Sequence, residues 1–158
     1  GLLLGYEDVV SALEDPIIEK HVREVLKETG LYLQSTYHLD EDEDEHNVYI
    51  NRLIERFRNS DINDKLTRIA RNPIQKLGPN ERFVIPLMGL YKLNLPHDAL
   101  VSAIASVFLF DYEEDAQSVT LRTRLNRESL DGVIEDITGI NETSLIERIS
   151  EEVSELRK

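Results

Sequence analysis

Apolar residues recur at three-, four- and seven-residue spacings along almost the whole chain, and a period of that kind buries one face of a helix. Asp15-Pro16 is a start signal, an acidic N-cap followed by proline at the first helical position. Beyond it Ile18, Val22, Val25, Leu26 and Leu33 line one face. The acidic run at 40–45 suits the positive end of a second helix, which continues through Tyr49, Ile50, Leu53, Ile54 and Phe57. A shorter helix is predicted through Ile62, Leu66 and Ile69. It ends near Asn72-Pro73, because proline disfavours helix in the residue before it. Gly78-Pro79-Asn80 reads as a turn. Phe83, Leu87, Leu90 and Tyr91 predict the next helix, and Pro96 opens one carrying Leu100, Ala103, Ile104, Val107 and Phe108. Two more are predicted over 116–126 and 129–138, with Gly139 at a left-handed C-cap. Asn141 is expected to cap a last helix through Leu145, Ile149, Val153 and Leu156. No period-two alternation lasts long enough for a strand, so the expected fold class is all-α.

A chain of 158 residues suits one domain with a sizeable core, here expected to span 1–158. Its charge of −13 argues against a general binder of nucleic acid or anionic membrane, since either needs a basic face. No apolar run approaches the roughly 20 residues that span a bilayer. Cysteine is absent, which excludes disulfides, thiolate nucleophiles and cysteine-ligated metals. A cytoplasmic location is the expectation. The only methionine is Met88 and the chain opens at Gly1, so a piece of a longer protein is expected. Gly1-Leu2-Leu3-Leu4-Gly5 is too short and lacks the basic flank of a signal peptide. It reads as part of a helix or turn.

Charge is unevenly spread. Arg52, Arg56, Arg58, Lys65, Arg68, Arg71, Lys76 and Arg82 face only Glu55, Asp61, Asp64 and Glu81 in the same window. A local positive field in an acidic chain suits a small anion such as phosphate or carboxylate. Arg68 and Arg71, three apart, are expected on one helix face. Ordinary ion pairing is the competing reading, since Asp64 lies four before Arg68. His21, His38, His46 and His97 have no metal-binding spacing, so no metal is expected. There is no Gly-x-Gly-x-x-Gly turn, no Walker-type loop and no nucleophile elbow. From the residues alone, the chain is a helical domain with one cationic strip.

That strip also carries a resemblance. Arg56-Phe57-Arg58-Asn59, Asp64, Arg68-Ile69-Ala70-Arg71-Asn72-Pro73-Ile74-Gln75-Lys76-Leu77 and Asn80-Glu81-Arg82-Phe83-Val84-Ile85-Pro86-Leu87 occur in this order. They resemble the C-terminal domain of the mannitol-1-phosphate 5-dehydrogenase family, among the polyol-specific long-chain dehydrogenases. Asp15-Pro16-Ile17-Ile18 and Leu95-Pro96-His97 extend the likeness. The resemblance implies a two-domain enzyme in which an N-terminal Rossmann domain, absent from this chain, binds NAD. A multi-helix C-terminal substrate domain would close over the sugar phosphate. It also implies reversible hydride transfer between mannitol 1-phosphate and fructose 6-phosphate without a metal. The family's Lys-x4-Asn-x2-His motif is not in this chain, so no catalytic residue is assigned and the chain alone is expected to be inactive.

The family's arginine, with a lysine eight positions later, binds substrate hydroxyls. By that resemblance Arg68 and Lys76 are candidate substrate-binding residues; Arg71 and Arg82 carry no family role, but as further cations near this pair they are candidates for the phosphate. The implied partners are the sugar phosphate and the N-terminal domain, with no nucleic acid and no membrane. Two alternatives stand beside this reading. One is a related hexitol or hexuronate dehydrogenase domain. The other is a non-catalytic helical module that binds an acidic partner through the strip.

Overall fold

The computed structural model describes residues 1–40 and 42–158, so Glu41 of the acidic run lies outside the described residues. Among the described residues there are ten α-helices, two short 3-10 turns and no strand, as the all-α reading requires. The helices are α1 (Val9–Glu14), α2 (Pro16–Tyr37), α3 (Glu43–Phe57), α4 (Leu66–Ala70) and α5 (Pro73–Lys76). They continue with α6 (Val84–Lys92), α7 (Asp98–Phe108), α8 (Ala116–Arg127), α9 (Leu130–Thr138) and α10 (Thr143–Leu156). None of the described helices is long and apolar enough to cross a membrane.

The chain divides into two compact units. The first comprises Gly1–Ile69 and Gly89–Ala99, and the second Ala70–Met88 and Leu100–Lys158. In the first, α1, α2 and α3 pack on one another. Leu13, Ile50 and Ile54 form a buried cluster with Val9, Val22 and Leu26 against it. Asp15 starts α2 as its spacing predicts: its carboxylate accepts from the Ile17 amide at 2.8 Å and from the Tyr6 hydroxyl at 2.9 Å. Asp42 caps α3 by accepting from the Glu45 amide, and three acidic side chains fill the first turn. α2 and α3 approach closely at Gly30, where a Cβ would stand 2.1 Å from the His46 ring.

In the second unit α5 packs on α8, α8 on α9, and α9 on α10. Val133, Ile134 and Ile137 of α9 are buried, as are Leu145, Ile146, Ile149 and Val153 of α10. Ser129 caps α9, and Gly139 closes it in the expected left-handed conformation (φ 69°).

Several local expectations fail, each for a visible reason. The helix expected through Ile62, Leu66 and Ile69 is two pieces: a 3-10 turn at Ser60–Ile62, then α4. Asn59 captures the Asp61 amide, and the Asn63 side-chain oxygen captures that of Val10. These side-chain bonds compete with helix, and an isolated bridge between Asp8 and Lys65 needs extended backbone there. Asn141 does not cap α10; Glu142 holds that position without a side-chain bond. α7 begins at Asp98 rather than at Pro96, and Glu28 of α2 accepts from the Ala99 amide at 3.0 Å. The periodicity predicts neither α1 nor α5, because each is under two turns long.

Candidate functional site

The cationic strip is divided between the units. Arg52, Arg56, Arg58, Lys65 and Arg68 belong to the first, and Arg71, Lys76 and Arg82 to the second. Arg58 is committed to structure: it donates to Glu19 at 2.7 Å and to the Leu13 carbonyl at 3.1 Å.

Arg68 sits on α4, the entry to which is stitched to the start of α1. The Leu66 amide donates to the Glu7 carbonyl at 2.8 Å, and the Val9 amide to the Asp64 carbonyl at 3.0 Å. From this anchored segment Asp64 grips Arg68 through both Nε and Nη2, the pair that four-residue spacing foretells. The hydrogen bond from Arg68 holds the Asp64 carboxyl below the ordinary carboxylate range. The Arg68 side chain is nonetheless 67% exposed, so its fork is oriented without being buried.

Arg71 does not share a helix face with Arg68. α4 ends at Ala70, and Asn72 takes a left-handed conformation (φ 59°, ψ 57°) before Pro73 opens α5. Asparagine tolerates that region better than most residues, and a residue preceding proline is disfavoured in the right-handed helical one. The chain therefore turns between Arg71 and α5.

What fixes this turn is Asp115, a buried residue at the start of α8. One carboxylate oxygen accepts from the Asn72 amide at 2.9 Å, and the other accepts from the Ser118 amide at 2.7 Å. The Gln75 amide adds a bond to the Gln117 side-chain oxygen at 2.9 Å. Ser118 locks the loop before α8: its hydroxyl donates to the Phe110 carbonyl and accepts from the Tyr112 amide, each at 2.8 Å.

Around this frame stand the three remaining cations. The Lys76 ammonium is pulled below the ordinary lysine range, first by burial and then by the Arg82 charge, while Asp115 works the other way. Tyr112 donates its hydroxyl to Glu114 at 2.8 Å, and that bond raises the phenol above its usual range. Arg71 is near enough to oppose this rise. Lys76 and Arg82 are thus near neighbours of like charge, an arrangement that a shared anion relieves.

Asp115 escaped the sequence reading. Asp115-x-x-Ser118 is a recognisable N-cap pattern. Its second bond, to an amide 43 residues earlier, exists only once α5 packs on α8. Among the described residues no group of three histidine or carboxylate side chains is arranged to hold a metal.

A family model described as the mannitol dehydrogenase C-terminal domain matches residues 1–157. The mannitol-1-phosphate 5-dehydrogenase of Enterococcus faecalis is 40% identical over 153 residues, which cover 97% of this chain and 39% of that protein. That of Streptococcus mutans is 36% identical over 156 residues, covering 99% and 40% respectively. That of Anoxybacillus flavithermus is 39% identical over 137 residues, covering 85% and 35%. The chain spans about two fifths of the length of the curated relatives it matches.

Proposed function

The chain belongs to the mannitol dehydrogenase C-terminal domain family, and from that premise we propose that it is the helical substrate domain of an NAD-dependent oxidoreductase. The reaction is the interconversion of mannitol 1-phosphate and fructose 6-phosphate, in keeping with the name that the similar full-length proteins carry. The working protein also has an N-terminal Rossmann domain and acts in the cytoplasm. NAD is bound mainly by that other domain, where it supplies the hydride acceptor. This chain has no glycine-rich strand-to-helix turn to take a pyrophosphate and, among the described residues, no strand to precede one.

The observation that carries the reading is the family match over residues 1–157; in keeping with it, Lys76 stands depressed beside Arg82 on the turn that Asp115 fixes. Burying a lysine next to a second cation disfavours its charge, and a phosphate dianion restores it. Arg82 and Arg71 serve the phosphate, because the guanidinium fork matches phosphate oxygens. Lys76 and Arg68 serve the polyol hydroxyls, holding the chain of the substrate in one orientation so that its reacting carbon faces the nicotinamide. Asp64 supports that role by fixing the Arg68 side chain.

The test is steady-state kinetics of the full-length enzyme. Arg82→Ala and Arg71→Ala are each expected to raise KM for mannitol 1-phosphate about tenfold, the scale of one charge-assisted phosphate contact, with a smaller change in kcat. Unchanged KM in both would sink the phosphate assignment. Faster turnover of an unphosphorylated hexitol or a hexuronate would favour the neighbouring dehydrogenase classes. Absence of any hydride transfer by the full-length protein would favour a binding module.

A further inference from the structure

We propose that Asp115 is a positioning residue for the substrate: it clamps the Arg71–Lys76 segment to the start of α8 so that Arg71 meets the phosphate while Lys76 meets the neighbouring hydroxyls. The inference rests on the function proposed above and deepens it.

Three observations carry it. Asp115 is buried, and its two oxygens bond amides from distant parts of the chain, Asn72 and Ser118. The Asn72 amide lies at the pivot between the two cations. Arg71 precedes it by one residue, and the Lys76 amide donates to the Asn72 carbonyl at 3.1 Å. A left-handed pivot without an external acceptor would leave a backbone N–H unmatched, and such groups are rarely left so. Finally, Asp115 supplies the negative charge that partly offsets Arg82 at Lys76. Gln117 braces the same segment from the next turn through the Gln75 amide.

An N-cap whose only work was to start α8 would need the Ser118 bond alone. The second bond spans 43 residues and ends on the turn that carries the cations. Asp115 touches no substrate in this scheme; it acts through Arg71 and Lys76.

Asp115→Asn removes the charge and, because an amide has one acceptor oxygen, one of the two amide bonds. In the full-length enzyme it is expected to raise KM for mannitol 1-phosphate about tenfold or more while kcat stays within about twofold, since small displacements of positioning groups are costly. The inhibition constant for inorganic phosphate should rise in parallel. A lowered Tm with unchanged KM and unchanged phosphate inhibition overturns the proposal and leaves Asp115 a helix cap. If Asp115→Asn does not fold, Gln117→Ala decides: a KM raised about two- to fivefold supports the brace, and an unchanged one overturns it. Arg82→Ala and Arg71→Ala separate the two levels. If they raise KM while Asp115→Asn does not, only the positioning role fails. If they leave KM unchanged, the phosphate reading fails and this inference with it.

Discussion

At the scale of single residues, the cations are visible in the sequence and their partners only in part. The Asp64–Arg68 pair is legible from its four-residue spacing, although Asp64 lies just before α4 rather than on it. Lys76 beside Arg82 and Asp115 does not, because the groups meet through the turn at Asn72-Pro73 and the packing of α5 on α8. That meeting sets a test of stability against pH. The folded Lys76 loses its proton at a lower pH than the unfolded chain does. Between those two values the unfolded state binds more protons, so stability rises with pH there. Below the folded value the penalty for charging Lys76 is present in full, and above the ordinary lysine range it vanishes. Lys76→Met is therefore expected to raise Tm near neutral pH, with the gain shrinking as pH climbs through about 10. Phosphate should raise the Tm of the unsubstituted protein by mass action and do so less in the variant. Thermal melts with and without phosphate check both parts. A variant less stable than the parent at neutral pH would contradict the sign.

At the scale of elements, long periodic segments are legible and short ones are not. α2, α3, α9 and α10 begin or end close to their sequence signals, and Asp15, Asp42, Ser129 and Gly139 act as caps. The broken stretch from Asn59 to Ala70 shows what periodicity misses. Ile62, Leu66 and Ile69 have helical spacing, yet Asn59 and Asn63 spend their oxygens on backbone amides and divide the segment. Helix pairing sets a second test. Gly30 in α2 is buried, and an added Cβ would lie 2.1 Å from the His46 ring of α3. Alanine is the better helix former by about 1 kcal/mol. Overpacking of a closed contact costs about 1–3 kcal/mol. The steric cost wins, and Gly30→Ala is expected to lower the urea midpoint. His46→Ala in the same chain should recover most of the loss, so the double-mutant cycle has a coupling of about 1 kcal/mol or more. Additive effects would mean that α2 and α3 are not held at that distance by the glycine.

At the scale of the whole chain, the fold comprises two compact units whose boundaries cut through α4, α6 and α7. No composition shift marks those cuts, because both units are built from the same apolar period. Their electrostatics do differ. Asp8, Asp15, Glu19 and Asp64, all in the first unit, are held below the ordinary carboxylate range. The causes are hydrogen bonds from, respectively, the Ser11 amide, the Ile17 amide, Arg23 and Arg68. In the second unit Glu128 is similarly lowered by Arg124. A carboxyl depressed by folding adds stability that is complete above its unfolded value and disappears as pH falls through its folded value. Four such groups in one unit make that unit the more sensitive to acid. As pH falls from about 5 to about 2, amide protection should fall first across residues 1–69 and later across 100–158. Hydrogen exchange read by mass spectrometry, corrected for the intrinsic pH dependence of amide exchange, resolves the two. Replacing Asp8 and Asp15 together by asparagine should flatten the acid response of the first unit and leave that of the second unchanged. Simultaneous loss of protection in both, at one pH, would show that the chain unfolds in acid as a single cooperative body.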